Sequence, residues 1–323
     1  MTTGLLRVLL TSAGRRVELL NCFRAAADRL GQRLEVLACD LTPGLSAACA
    51  MADRAAPVPR ATDPGYADAV LDLVRRHGIA LVVPTIDPEL APLAAAHPAF
   101  ADLGCRLHVS APGVIDIARD KQRTAEVLGA SGVPVPPTLP PEALRDDPAA
   151  LPWPVFVKPR GGSASRGLAV IDRPEDLPPA FDEPMICQPR LSGPEFTVNL
   201  FVDAGGTLRC VIPHRRLQIR AGEVEKGRTE RLPVLRAIAE GVAAALPGLR
   251  GAACFQVIED AAQGPRVIEI NARFGGGYPL ADHAGATFAQ WLLEEATGRP
   301  CTAHDAWRDG VEMLRYDAAV FRG

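Results

Sequence analysis

In the first third of the chain, short apolar runs alternate with Ala-, Leu- and Arg-rich stretches of helical pattern. "LRVLLTSAG" predicts a buried strand that enters a glycine turn, and the residues from about Arg15 to Leu30 predict an amphipathic helix. A strand "LEVLACD", a polar turn "LTPG", a helix from about Tyr66 to His77 and a strand "IALVVPT" follow. Strands that alternate with helices imply a parallel sheet covered on both faces. The N-terminal unit is therefore expected to be a small doubly wound domain.

After "HVSAPGVIDIARDKQRTAEVLGASGVPVPPT" the pattern changes: proline becomes dense and apolar runs come in antiparallel pairs. "WPVFVKPRGGSASRGLAVI" predicts a hairpin whose arms flank a loop of Gly, Ser and Arg. "EPMICQPRLSGPEFTVNLFVDAGGTLRCVIPHRRLQIR" predicts further strands with a turn at Gly205 and Gly206. A helix from about Leu232 to Leu246 precedes the hairpin "AACFQVIEDAAQGPRVIEINARF". This part reads as an α+β unit, distinct from the first third.

The bulk properties narrow the function. At 323 residues the chain exceeds one comfortable core, so two or three packed units are expected. A net charge of -3 and the lack of a long Lys/Arg run argue against nucleic acid as a partner. No stretch approaches the ~18 apolar residues that span a bilayer, so no membrane partner and a cytoplasmic location are expected. The eight cysteines stand singly, without a CxxC pair, and signal neither a disulfide framework nor a zinc site.

The stretch "RVIEINARFGGGYP" carries the most chemistry. If the hairpin turns through Ala261 to Gly264, Asp260 pairs with Pro265, and counting back sets Gln256 opposite Glu269. Alternation then sends Gln256, Glu269 and Asn271 to one face. Two amide oxygens and a carboxylate suit a hard cation such as Mg²⁺ that takes substrate phosphates as further ligands. The other reading is a solvated polar face of an edge hairpin. Arg273, two positions on, is placed to meet a developing oxyanion or phosphoryl group, or is a surface arginine. A second candidate is the loop "KPRGGSASRG", whose backbone N–H groups suit phosphate oxygens, with Lys158 at its base. It is not a P-loop, and "TSAGRR" lacks the glycines of a dinucleotide fingerprint. In "HRRLQIRAGEVEKGRT", alternation puts Arg216, Gln218 and Arg220 on one face, where Arg216 and Arg220 are candidates to clamp a substrate carboxylate; a solvated basic strand is the alternative.

Together, "FVKPRGGSASRG", "ICQPRLSGPEFTV" and "FQVIED…RVIEINARFGGGYP", in this order, resemble the ATP-grasp superfamily. The nearest likeness is to the branch of the carbamoyl-phosphate synthase large subunit and its stand-alone ligase relatives. "VLLTSAGRR…ACD…VPTIDPEL" resembles the pre-ATP-grasp domain of such proteins. The resemblance implies an α/β plus α+β architecture: a doubly wound parallel-sheet pre-ATP-grasp domain over residues 1–115 and a two-lobed ATP-grasp fold. The small lobe with its Gly-rich phosphate loop is expected over 116–190, and the large lobe with the metal site over 191–323.

By that resemblance the reaction is an ADP-forming carboxylate–amine ligation through an acyl phosphate, on an amino acid or small carboxylic acid. ATP and one or two Mg²⁺ ions are the implied cofactors, with Mn²⁺ a permitted substitute. The partners are a small-molecule carboxylate and an amine, with room for a homodimer. Lys121 and Lys158 match nucleotide-phosphate lysines, and Gly161, Gly162 and Ser163 lie in the phosphate loop. Gln188, Pro189 and Arg190 match the hinge that meets adenine, and Glu195 the acid that bonds the ribose hydroxyls. Gln256, Glu269 and Asn271 match the magnesium ligands, and Arg273 the arginine that steadies the transferred group. Lys226, in a Gly-flanked loop, is expected to close over the phosphates. His214 and His283 are expected as structural groups or substrate contacts rather than general bases. The chain departs from the family pattern in reading Asn271-Ala272-Arg273 where many relatives have Asn-Pro-Arg, and 323 residues hold one such module where full synthases have two. Alternatives are a non-catalytic ATP-binding module, a single synthase-like module using bicarbonate and, from another class, a nicotinamide-dependent oxidoreductase.

Overall fold

The computed structural model describes residues 4–162 and 167–322. Five strands, β1 (Leu6–Thr11), β2 (Leu34–Asp40), β3 (Arg54–Pro57), β4 (Leu81–Pro84) and β5 (Arg106–Leu107), form a parallel sheet in the order β3-β2-β1-β4-β5. The expected doubly wound unit is present. Strand order reverses between β1 and β4, which is where such sheets open a crevice at their carboxyl ends. The helix Val17–Arg29 packs Leu20, Phe23 and Ala27 inward, and the helix Tyr66–His77 ends at Gly78, whose φ of 60° suits a glycine.

The loops after β1 and β4 are locked together. Glu89, fully buried, accepts hydrogen bonds from Thr85 N at 2.6 Å, Ile86 N at 3.0 Å, Ser12 Oγ at 2.9 Å and the Tyr66 hydroxyl. Thr85 Oγ1 donates to the carbonyl of Ser12 at 2.8 Å, holding Ser12 at a φ of 48° that a side chain seldom adopts. Four donors on one carboxylate offset the cost of its burial and fix the turn that carries Asp87.

A small antiparallel sheet follows, with β6 (Val155–Pro159) between β7 (Ala169–Ile171) and β8 (Met185–Pro189). Its own apolar cluster includes Leu144, Leu151, Val155, Val157 and Cys187.

The largest sheet is antiparallel and six-stranded: β9 (Glu195–Val202), β10 (Leu208–Arg220), β11 (Glu223–Thr229), β12 (Gly251–Asp260), β13 (Gly264–Asn271) and β14 (Glu312–Leu314), ordered β13-β12-β9-β10-β11-β14. One face buries Phe196, Val198, Phe255, Val257 and Ile270 in the main core. The intervening positions, period two, bring Glu195, Gln256, Glu269 and Asn271 to the other face. The helices Tyr278–Ala284 and Phe288–Ala296 join the parallel unit to this sheet through an aromatic cluster. Phe274 meets Phe23 edge-on at 6.1 Å and Tyr278 at 4.6 Å between ring centroids.

Candidate functional site

The hairpin of β12 and β13 reaches its expected pairing by an unexpected route. The turn is one residue shorter than the sequence suggests: Asp260 pairs with Gly264, and Glu259 with Pro265. Asp260 accounts for the tight turn, accepting from Ala262 N and Gln263 N and, through its other oxygen, from Ser192 N at 2.8 Å. A bulge at Ile268 then adds a residue to β13, so Gln256 does face Glu269, and Cys254 faces Asn271. The expected partner of Asp260 is thus corrected, while Gln256, Glu269 and Asn271 do share a face.

Lys158 Nζ donates to the carbonyl of bulged Ile268 at 3.0 Å, so the small sheet meets the hairpin at that irregularity. Burial lowers the Lys158 ammonium to about 8, against the opposing pull of Glu269. Lys121 Nζ reaches the carbonyls of Gly161 at 3.3 Å and Gly162 at 3.1 Å from the first turn of the helix Lys121–Ala130. Asp120 caps that helix and holds Arg160 through both carboxylate oxygens, closest at 2.6 Å, joining the helix to the Gly-rich segment. Ser163 lies outside the described residues.

A cleft here is lined by Asp87, Arg119, Lys121, Gly162, Glu269 and Asn271, among others. Arg273 lies behind two of these residues, Asp87 and Asn271, and bonds both. One of its terminal nitrogens, Nη2, donates to Asp87 Oδ2 at 2.7 Å and Asn271 Oδ1 at 2.9 Å, and the other, Nη1, to its neighbour's carbonyl at 2.9 Å. Burial works against the Arg273 charge, but Asp87 and Glu269 more than restore it. Asn271 retains its second carbonyl lone pair. A single carboxylate with two amides fits Mg²⁺ completed by phosphates, and no cluster of three His, Cys, Asp or Glu side chains occurs among the described residues.

The nucleotide candidates divide. Gln188 is buried on β8 and donates to Thr138 Oγ1 at 2.8 Å, beside Pro189, while Arg190 N donates to the Pro154 carbonyl at 3.0 Å. Glu195 opens β9 and pairs with Arg216; burial raises its carboxyl above the ordinary range, against the pull of that arginine.

Two expectations need correction. Arg216 and Arg220 form no clamp, because bulges around Gln218 break the alternation that would align them. Arg216 turns inward to Glu195 and the Gly222 carbonyl, and exposed Arg220 pairs with Asp317 and Glu225. Lys226 is not in a loop: it is exposed on β11, paired with Gln218 and Leu314, and no described contact joins it to the hairpin. His214 is fully buried against Asn199, and burial lowers it to about 3, while His283 is exposed.

The sequence reading assigned no role to Asp87, Arg119, Arg16, Glu223 or Arg315. Of these, Asp87 and Arg16 stand in segments whose strand-end position marks them as crevice residues.

The chain matches the family described as PylC-like, N-terminal domain over residues 8–108, and the ATP-grasp domain over residues 118–277. It belongs to the ATP-grasp superfamily. Among curated proteins, a D-alanine–D-alanine ligase of Corynebacterium aurimucosum is 34% identical over 141 residues, 41% of this chain and 38% of that one. A formate-dependent phosphoribosylglycinamide formyltransferase of a Synechococcus strain is 36% identical over 174 residues, 50% of this chain and 39% of that one. The chain thus spans about two fifths of these relatives.

Among solved structures, the biotin carboxylase domain of Hydrogenobacter thermophilus 2-oxoglutarate carboxylase, in complex with MgADP, ADP and bicarbonate, superposes with a TM-score of 0.74 at 19% identity, covering 94% of this chain and 73% of that one. N5-carboxyaminoimidazole ribonucleotide synthetase from Thermotoga maritima gives 0.66 at 19% identity, covering 93% and 78%. At these identities the likeness is one of fold. No helix among the described residues is long and apolar enough to cross a membrane.

Proposed function

We propose that the chain is an ATP-dependent, ADP-forming carboxylate–amine ligase acting through an acyl phosphate on an amino acid or small carboxylic acid. The observation that carries this reading is the meeting of Lys158, Glu269, Asn271 and Arg273 around the bulged hairpin. A phosphoryl transfer needs positioning and charge neutralisation rather than a protein nucleophile, and this set supplies both. The ATP-grasp domain match and the likeness to a D-alanine–D-alanine ligase, to a biotin carboxylase domain in complex with MgADP and to N5-carboxyaminoimidazole ribonucleotide synthetase support it.

In this reading Lys121 and Lys158 hold nucleotide phosphates, with Gly161, Gly162 and Ser163 as their backbone cradle. Gln188 to Arg190 meet adenine and Glu195 the ribose. Gln256, Glu269 and Asn271 would hold Mg²⁺, which supplies charge neutralisation at the phosphate oxygens. A substrate carboxylate oxygen attacks the γ-phosphorus, ADP leaves, and Arg273 steadies the charge on the transferred group. The amine then attacks the acyl carbon, expels phosphate and loses a proton, giving an amide.

The three-part division at residues 115 and 190, and kinship to the synthase large-subunit branch, belong to the same proposal. A second reading, carboxylation with bicarbonate as the phosphorylated acid, is favoured by the likeness to a biotin carboxylase domain whose structure holds bicarbonate. The test is ADP and phosphate release from Mg-ATP across pooled amino acids and small carboxylic acids, with and without amines, bicarbonate included. Release that needs one acid and one amine supports the ligase; release with bicarbonate alone supports the second reading. Mg-ATP binding without stimulated release would favour a non-catalytic module.

A further inference from the structure

Beyond Arg273, where the loop after β1 meets Gly276, Arg15, Arg16 and Arg315 gather around Glu223. Arg16 closes the loop after β1 with only 17% of its side chain exposed, so a guanidinium with five donors is largely withdrawn from water. Among the described contacts that side chain has an ion pair to Glu223 Oε1 at 3.2 Å and no hydrogen bond. Glu223 is already engaged: Arg315 Nη1 donates to its other oxygen at 3.0 Å, and Arg15, 68% exposed, stands 3.5 Å away. Arg15 is screened by solvent. The two largely buried cations, Arg16 and Arg315, therefore face one carboxylate, which leaves a single positive charge and unused donors.

The surroundings keep this charge in place. A Cβ on Gly276 would stand 2.8 Å from Arg16 Nη1 and 2.5 Å from Glu223 Oε2, so the glycine lets both groups lie against the backbone. Arg273 precedes Gly276 by three residues and Arg16 lies against Gly276, so from Glu269 on β13 the chain leads past Arg273 to the arginine cluster, and Arg273 adds its repulsion to Arg16. The donors of Arg16 that Glu223 does not engage are satisfied best by a planar monoanion.

Resting on the ligase reading above, we infer that Arg16, braced with Arg315 around Glu223, binds the free carboxylate of the attacking amine, which makes that substrate an amino acid. The side of Arg273 away from the metal hairpin is where a nucleophile approaches an acyl phosphate whose phosphoryl group faces the nucleotide. A carboxylate matches the single residual charge; a phosphate dianion exceeds it.

The test uses the full chain with Mg²⁺ and a non-hydrolysable ATP analogue, titrated with amino acids and with the same amino acids as carboxamides, following thermal stabilisation. Inorganic phosphate and amine-free dicarboxylic acids form two further arms. The expected result is that amino acids bind at least about tenfold more tightly than their amides, and that Arg16→Gln brings the ratio close to one while still binding the nucleotide analogue. Arg16→Lys should restore part of the preference, which separates anion binding from a folding defect. Equal binding of acids and amides, no stabilisation by any amino acid, or a preference that survives in Arg16→Gln would overturn the inference. So would an Arg16-dependent preference for phosphate or for the dicarboxylic acids. Failure of the wild type to bind the analogue at all would instead overturn the ligase reading beneath it.

Discussion

Asp87 Oδ2 lies 2.7 Å from Arg273 Nη2, so the parallel unit supplies the counter-charge of an arginine whose next hydrogen bond is to Asn271. The pair is largely buried, with side chains 17% and 13% exposed. Removing one partner of such a pair leaves a buried charge uncompensated. Asp87→Ala is therefore expected to cost about 3 kcal/mol in urea denaturation. The isosteric Asp87→Asn should lower the maximum rate more than nucleotide affinity, because it releases Arg273 without touching the lysines. An equal fall in both would show that Asp87 serves only the fold.

Glu269 is the single carboxylate among the three proposed ligands. Glu269→Ala should reduce Mg-dependent ADP release by about 10²-fold or more while the melting transition stays cooperative. Unchanged turnover across a magnesium titration would remove the hairpin from the reaction.

Lys158 gives a pH signature. Burial brings its ammonium down to about 8 in the free protein, so above that pH it is neutral there, although an unfolded lysine stays charged to about 10.4. Phosphate oxygens placed on it favour the charged form. Nucleotide binding between about pH 8 and pH 10 should take up a proton, seen as calorimetric heats that depend on the buffer's ionisation enthalpy. Lys158→Met should abolish that uptake. Proton release, or uptake unchanged in the variant, would place Lys158 away from the phosphates.

Glu89 ties four donors from two loops and the helix Tyr66–His77. Glu89→Ala strands several buried donors and should destabilise the protein by about 3 kcal/mol or more. Glu89→Gln keeps one acceptor oxygen and should lie between. Chemical denaturation midpoints order the three proteins, and an alanine variant as stable as the wild type would refute the brace.

Periodicity made the large features legible. The helix at Tyr66–His77 and the strand at Leu34–Asp40 match their sequence boundaries, because each has a clean apolar pattern ended by a glycine or a polar turn. The shared face of Gln256, Glu269 and Asn271 was legible too, although the turn and the bulge at Ile268 were not: a one-residue shortening and a one-residue insertion cancel in any count along the strands. Bulges near Gln218 had no such compensation and separated Arg216 from Arg220. Lys226 shows the opposite failure, since its flanking glycines suggested a loop where β14 instead pairs alongside. Asp87 and Arg16 were hidden because their partners, Arg273 and Glu223, lie about two hundred residues away along the chain, beyond the reach of local pattern.

The central claim is that a carboxylate oxygen attacks the γ-phosphorus of ATP. Turnover with the acid and amine identified by the release assay, the acid carrying ¹⁸O in its carboxylate, tests it most directly. The account predicts that each phosphate formed carries one labelled oxygen from the acid, and that Glu269→Ala forms labelled phosphate about 10²-fold more slowly or slower still. Phosphate without label, released at the same rate as ADP, would mean that water rather than the acid receives the phosphoryl group, and would contradict the account.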